Sequence, residues 1–149
     1  MLSRIKSLVF ICLLFAAIAV LESCEHMGNE PEQTLSAFTD KATYTTEEYI
    51  TITVTNNGDF VAHLASCCAS LSYYIDKHEN GTWRLFSNQG VPCPPGLACP
   101  SRDLVVARAE HQVGSALLSE RGTFRIRVPY GRSNEYLAAE VVSNTFVVQ

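Results

Sequence analysis

The sequence predicts an all-β domain that folds as an antiparallel sandwich of about seven strands. The central observation is the run 49–57, in which β-branched residues alternate between two faces before the turn at Gly58. Residues 71–77 and 123–128 alternate in the same way, with a period of two residues. No segment after the first two dozen residues shows a period of 3.6 residues, so we expect strands rather than helices throughout.

Further strands are predicted on both sides of residues 49–57. An opening strand is expected over 35–39, and the return from the turn is expected over 60–66. Asn80 and Gly81 favour the left-handed backbone of a tight hairpin turn. Apolar or alternating runs predict the other strands, at 82–86, 104–107, 116–118 and 141–148. Short strands at this spacing are typical of a sandwich.

Residues 1–23 are predicted to be a signal peptide. Arg4 and Lys6 precede an apolar stretch over 8–21, which is shorter than the about 20 residues of a membrane-spanning helix. Residues 24–34 are polar and contain Gly28 and Pro31, so we expect a flexible tether. The folded domain is then predicted over 35–149.

The end of the leader, Leu21-Glu22-Ser23-Cys24, resembles the lipobox of bacterial lipoproteins. The resemblance implies cleavage before Cys24 and a diacylglycerol on its sulfur, although Glu22 departs from the small or apolar residue usual there. Two acyl chains anchor a protein stably. We therefore expect a lipid-anchored protein of a bacterial cell envelope, either periplasmic or exposed on the surface. The alternative is an ordinary signal peptide cleaved after Ala19.

The charge of the mature chain is mildly acidic. Without residues 1–23 it keeps 14 acidic and 9 basic residues, a net charge of about −5. Nucleic-acid-binding domains are usually basic, so no nucleic-acid partner is predicted.

Several segments together resemble a bacterial immunoglobulin-like domain of secreted proteins and lipoproteins. They are Tyr44, residues 48–56, Trp83, residues 122–126 and residues 143–146, and the resemblance covers about 38–148. It implies a seven-stranded sandwich with an adhesive or accessory role and no catalytic residues. Small β-sandwich proteinase inhibitors of bacilli show a similar strand pattern. They imply the alternative function, an extracytoplasmic proteinase inhibitor that presents a disulfide-braced loop.

Four cysteines remain once Cys12 leaves with the leader and Cys24 carries lipid: Cys67, Cys68, Cys93 and Cys99. An even number in an exported chain predicts two disulfides. A bond between the adjacent Cys67 and Cys68 is disfavoured by disulfide geometry, so each is expected to pair with Cys93 or Cys99, in either connectivity. A four-thiolate zinc site is the alternative, but structural zinc sites favour C-x₂₋₄-C pairs.

Residues 87–102 form an irregular stretch with four prolines and two glycines. Long loops in compact domains are usually functional or disordered, and proline restricts the backbone. We therefore predict that this loop is a recognition element, with contacts from Val91, Pro94, Pro95 and Leu97. The alternative is that its cysteines only hold a long connection against the sandwich.

No catalytic residue, cofactor or metal is predicted. The motifs G-x-S-x-G and H-E-x-x-H and a Gly-rich phosphate loop are absent from the sequence, and His63, His78 and His111 are scattered along it. We expect a non-catalytic domain that binds the membrane through its anchor and another envelope or extracellular protein through its fold. An enzyme whose site does not show in the sequence is a third class.

For four other polar or aromatic residues we predict whether the side chain lies at the surface or in the core. Asp76 is expected to be a solubilising surface residue. Arg125 and Arg127 are expected on the solvent face of one strand. Trp83 is expected in the core, packed with Tyr73 of the facing hairpin strand.

Overall fold

The computed structural model describes residues 34–89, 104–133 and 137–149, and their regular structure consists of strands. The strands are β1 Leu35–Thr39, β2 Thr43–Tyr44, β3 Tyr49–Asn56, β4 Ala62–Leu64, β5 Ser66–Cys67, β6 Ser70–Leu71, β7 Tyr73–Glu79, β8 Thr82–Gln89, β9 Leu104–Val106, β10 His111–Leu117, β11 Gly122–Gly131, β12 Ala139–Val142 and β13 Phe146–Val148. Residues 1–33, which hold the predicted signal peptide and nearly all of the tether, lie outside the described residues.

Two sheets make up the sandwich. In the smaller sheet β3 lies between β1 and β10, and both pairings are antiparallel. The larger sheet is built on the ten-residue strand β11. One side of β11 pairs with β13 and β12, and the other side pairs with β7 and β4. Strand β8 extends the larger sheet beyond β7, and β9 extends it beyond β4.

The core lies between the inner faces of the two sheets. Ile50, Ile52 and Val54 of β3 are fully buried, as the alternation in the sequence predicts. Buried side chains of the larger sheet belong to the same core cluster, among them Ile75, Phe124, Ile126, Val128 and Phe146. Each such aliphatic or aromatic side chain stabilises the fold by about 1.5–3 kcal/mol through burial. The predicted fold class is confirmed as an all-β antiparallel sandwich, although it is built from more and shorter strands than the about seven that were predicted.

The segment predicted as one closing strand over 141–148 forms two strands, β12 and β13. Ser143, which lies between them, donates its backbone N–H to the Ile126 carbonyl oxygen (2.8 Å), and its hydroxyl accepts a hydrogen bond from the Ile126 N–H (2.9 Å). The Asn144 side-chain oxygen accepts a hydrogen bond from the Thr39 N–H (2.8 Å). These side chains occupy backbone donors and so interrupt the regular ladder.

Strand β10 begins earlier than predicted. We expected a strand over 116–118, but His111–Leu117 pairs with β3 along its whole length. Its inward positions include Gly114, and Leu71 of β6 fills the space over that glycine: a Cβ there would lie 2.9 Å from the Leu71 Cδ2 atom. The apolar side chain that covers β10 therefore comes from another strand, so β10 itself has no clear alternation in sequence.

Asn56 closes the end of β3 and is fully buried. Its side-chain Nδ2 atom donates to the carbonyl oxygens of Phe60 (2.6 Å) and Val106 (2.9 Å), and its side-chain oxygen accepts a hydrogen bond from the Gly58 N–H (2.9 Å). A buried amide that is satisfied in this way fixes the turn after β3 and ties it to β9.

Candidate functional site

A group of side chains on the outer face of the larger sheet forms the candidate site. Inward-facing Phe124, Ile126 and Val128 alternate along β11 with Arg125 and Arg127, so the two guanidinium groups lie on the other face. Strands β7 and β8 bring Tyr74, Asp76 and Trp83 against them. We call these five residues the outer cluster: Tyr74, Asp76, Trp83, Arg125 and Arg127.

Asp76 is the centre of the outer cluster, and its side chain is only 4% exposed. Its Oδ2 atom accepts hydrogen bonds from the Nε atoms of Arg127 (2.8 Å) and Arg125 (3.0 Å). Its Oδ1 atom accepts a third from Nη2 of Arg127 (3.0 Å). A buried carboxylate needs partners of this kind, because an unpaired buried charge is costly.

Each arginine also lies over an aromatic ring. The guanidinium carbon of Arg125 is 4.5 Å from the centre of the Trp83 ring, and that of Arg127 is 5.0 Å from the centre of the Tyr74 ring. The His78 ring lies 4.9 Å from the Trp83 ring. Both arginine distances are within the range of a cation–π interaction, which contributes about 0.5–1 kcal/mol at exposed sites.

The two arginines differ in how many of their donors are used. Arg127 binds Asp76 through Nε and Nη2 and binds Glu140 through Nη1 (2.6 Å), and the hydrogen bonds to Asp76 raise the pKa of Arg127. Arg125 binds Asp76 through Nε alone, and within the described ranges its Nη1 and Nη2 atoms donate no hydrogen bond. Its side chain is 28% exposed, so part of the side chain is open to solvent.

Exposed apolar side chains surround the outer cluster. Leu85 of β8 lies opposite Asp76 and is 58% exposed. Val142 of β12 lies opposite Arg127 and is 44% exposed. Tryptophan, tyrosine and arginine are the residues most enriched among those that dominate binding energy at protein interfaces. The outer face thus combines an ordered group of cationic and aromatic side chains with exposed apolar side chains on either side of it.

Two expectations about these residues were wrong. Asp76 is buried rather than a solubilising surface residue, because two arginines of the neighbouring strand enclose it. Trp83 is half-buried on the outer face and packs on Arg125 and His78 rather than in the core with Tyr73. Arg125 and Arg127 do lie on the outer face, as predicted. The signal in the sequence is one acidic residue in one alternating run and two basic residues, two positions apart, in another.

The predicted cysteine and loop residues lie mostly outside the described residues. This holds for Cys24, Val91, Cys93, Pro94, Pro95, Leu97 and Cys99. Cys67 and Cys68 are described, and their sulfur atoms are 3.9 Å apart, well beyond the about 2.05 Å of a disulfide bond. Cys67 and Cys68 are therefore not bonded to each other, and the predicted pairing with Cys93 and Cys99 stays a prediction.

Three further observations on the described residues bear on function. No group of three or more His, Cys, Asp or Glu side chains among them could hold a metal ion. None of them forms a helix long and apolar enough to cross a membrane. A cleft of about 380 Å³ lies away from the outer cluster and is lined by residues that include Phe60, Tyr130 and Arg132.

No protein-family model and no curated protein matches the chain. Among solved structures, the chain is similar to the solution NMR structure of the CARDB domain of PF1109 from Pyrococcus furiosus, with 18% identity, coverage of 78% of this chain and 93% of that chain, and a TM-score of 0.38. It is similar to the PapD-like domain 7 of human CEP192, with 16% identity, coverage of 83% and 88%, and a TM-score of 0.36. A third match is the alkylpurine DNA glycosylase AlkC of Pseudomonas fluorescens, with 10% identity, coverage of 78% of this chain and 30% of that chain, and a TM-score of 0.37. Similarity at this level carries no information about ligands or activity.

Proposed function

We propose that the protein is a lipid-anchored component of a bacterial cell envelope, and that its immunoglobulin-like domain is a non-catalytic module that binds another envelope or extracellular protein. The observation that carries the binding role is the outer cluster, in which a buried carboxylate orients two arginines on an otherwise solvent-exposed sheet face. The anchor rests on the sequence Leu21-Glu22-Ser23-Cys24.

The binding surface we propose is the outer face of the larger sheet. The stability of a sheet face that binds no partner does not require a buried ion pair such as that of Asp76, since replacing a buried ion pair by apolar residues is often neutral or stabilising. The outer cluster instead fixes Trp83 and Arg125 at the surface, beside the exposed Leu85. Side chains held in one conformation lose less entropy on binding, and such pre-organisation favours recognition.

The binding surface is tested by comparing two double variants in pull-downs from envelope extracts. Trp83→Ala with Leu85→Ala removes apolar and aromatic surface from the proposed face. Tyr49→Ala with Val113→Ala is the matched control, because both residues are exposed on strands of the smaller sheet. We expect the first variant to lose the partner that wild type and control retain. Equal recovery by both variants would contradict the proposal.

The predicted recognition loop is the alternative binding surface, and the same pull-down experiment tests it. Replacing residues 94–98 with a Gly-Ser segment, while keeping Cys93 and Cys99, removes the side chains of Pro94, Pro95 and Leu97. Loss of the partner with this variant alone would place binding on the loop and not on the sheet face.

The anchor is tested with Cys24→Ser. If Cys24 carries a diacylglycerol, wild type partitions into the detergent phase and incorporates labelled fatty acid, whereas the variant does neither. Cys67→Ser is the control, since it also replaces a cysteine but leaves the lipobox intact. Partitioning of wild type and Cys24→Ser into the aqueous phase to the same extent would exclude the anchor.

A further inference from the structure

The guanidinium group of Arg125 is held in one orientation, and among the described residues two of its nitrogens have no hydrogen-bond partner. Its Nε atom donates to Asp76 (3.0 Å), and its plane lies over Trp83, 4.5 Å from the ring centre. Asp76 is itself fixed by two hydrogen bonds from Arg127. The orientation of Arg125 is therefore set by residues on three strands, β7, β8 and β11.

The Nη1 and Nη2 edge of the Arg125 guanidinium has the geometry of an anion receptor. Two N–H groups of a guanidinium form a planar fork that matches the two oxygens of a carboxylate, and such bidentate pairs are the strong form of charge-assisted hydrogen bond. The Nη1 and Nη2 atoms of Arg125 supply that fork, since Nε is taken by Asp76.

The number of cations at the site limits the anion that it can bind. Arg127 is committed to both acidic groups, Asp76 and Glu140. Within the outer cluster Arg125 is therefore the one guanidinium with N–H donors left, and no second uncommitted cation lies beside it. A carboxylate needs only one such group, whereas a dianionic phosphate is bound best where several cations converge.

We propose that Arg125, held against Trp83, binds a carboxylate of the partner protein. The inference rests on the proposed function and names the chemistry that the outer face recognises. Leu85 and Trp83 lie beside the fork and contact the aliphatic part of the acidic residue. The carboxylate belongs either to an Asp or Glu side chain or to a chain terminus.

The fluorescence of Trp83 reports on this site directly, since Trp83 is the only tryptophan in the sequence. The first probe is the peptide acetyl-Val-Glu-Val-amide, and its isosteric control is acetyl-Val-Gln-Val-amide. The second probe, acetyl-Val-Val with a free terminal carboxylate, tests the chain terminus. We expect a saturable change in Trp83 fluorescence with at least one carboxylate probe and none with the Gln peptide. The probe that binds identifies the source.

Variants of Arg125 test the role of the fork. Arg125→Gln and Arg125→Lys should each weaken binding at least about tenfold, since a hydrogen bond to a charged group contributes about 1.5–3 kcal/mol and about 1.4 kcal/mol is tenfold in Kd. The second variant keeps the positive charge and loses the fork. Arg84→Gln, an exposed arginine of β8, is the control and should bind as wild type does. Circular dichroism confirms that each variant is folded.

Two results would overturn this inference. One is a response to neither carboxylate probe that exceeds the response to the Gln peptide, and the other is unchanged binding by folded Arg125→Gln. If partner capture depends on Trp83 and Leu85 but not on Arg125, the proposed function stands and the carboxylate site is wrong. If capture depends on none of the three, the sheet face itself is not the binding surface.

Discussion

Arg127 holds Asp76 with two hydrogen bonds, from Nε to Oδ2 at 2.8 Å and from Nη2 to Oδ1 at 3.0 Å. The pair joins β11 to β7 across the outer face, in the middle of the larger sheet. Because the carboxylate is enclosed, the two partners depend on each other more than partners in a surface ion pair do, which contribute about 0–1 kcal/mol.

Removal of the carboxylate should therefore be costly. Asp76→Ala leaves Arg125 and Arg127 partly buried without their common acceptor, and we expect a loss of about 2–4 kcal/mol in the free energy of unfolding. Asp59→Ala, at an exposed turn residue, should change it by less than about 0.5 kcal/mol. Urea denaturation measures both. Similar stability of the two variants would show that the outer cluster does not support the fold.

The two faces of β3 should respond very differently to truncation. Ile52 is fully buried, so Ile52→Ala should lower the free energy of unfolding by about 2–5 kcal/mol through lost burial and a residual cavity. Thr53→Ala, on the opposite face of the same strand, should cost less than about 1 kcal/mol. Comparable losses in chemical denaturation would contradict the assignment of the two faces.

Tyr73 should make stability fall at alkaline pH. Its hydroxyl donates to the Ser115 carbonyl oxygen (2.5 Å) across the sandwich, and burial raises the pKa of Tyr73 from 10.0 to about 12. Above pH 10 the unfolded chain ionises this group while the folded chain keeps the proton. Stability from this residue is therefore complete below pH 10 and lost as pH rises through about 12, by up to about 2 kcal/mol.

Tyr73→Phe isolates that effect. At pH 7 the variant should be about 1 kcal/mol less stable than wild type because the hydrogen bond to Ser115 is lost. As the pH of the urea titrations rises from 10 to 12 the difference should shrink and then reverse in sign, because wild type loses more stability than the hydrogen bond contributes. Tyr49→Phe, at a side chain that is 70% exposed, controls for general alkaline effects. A difference between wild type and Tyr73→Phe that stays constant over this range would disprove the assigned titration.

Gly122 should not tolerate a side chain. Its φ is +152°, and a Cβ there would lie 2.7 Å from the Lys77 Cε atom. Gly81 has a φ of +79° with no atom within 4 Å of a Cβ, so Gly81→Ala carries backbone strain alone, about 1 kcal/mol. Gly122→Ala should cost about 2–3 kcal/mol, chiefly through backbone strain at this φ, because the Lys77 Cε atom ends a flexible side chain and can move aside.

A second substitution tests this cause at Gly122. Lys77→Ala in the Gly122→Ala background removes the nearest atom, and the cost of Gly122→Ala should stay about the same because the backbone strain remains. Thermal unfolding of the single and double variants measures the coupling. A cost that falls to that of Gly81→Ala would show that Lys77 limits the size of residue 122.

Strands with strong alternation and local turns could be predicted from the sequence. Strand β3 runs over Tyr49–Asn56, and the hairpin from β7 to β8 turns at Asn80 and Gly81, whose φ values are +51° and +79°. Short-range chemistry decides these features: β-branched residues with a period of two, and residues that accept a left-handed backbone. The same reasoning failed for β10, whose inward side is covered by Leu71 from another strand.

The sequence by itself determined the class of fold and which residues of the strands point inward. The reason is that each strand's own sequence shows the alternation with a period of two residues that places every second side chain in the core. The tertiary structure alone decided the candidate site. Asp76 is separated from Arg125 and Arg127 by 49 and 51 positions, and the register between β7 and β11 places them in contact. From the sequence alone a charged residue is expected at the surface. Only strand pairing shows whether an opposite charge lies close enough for both groups to be buried.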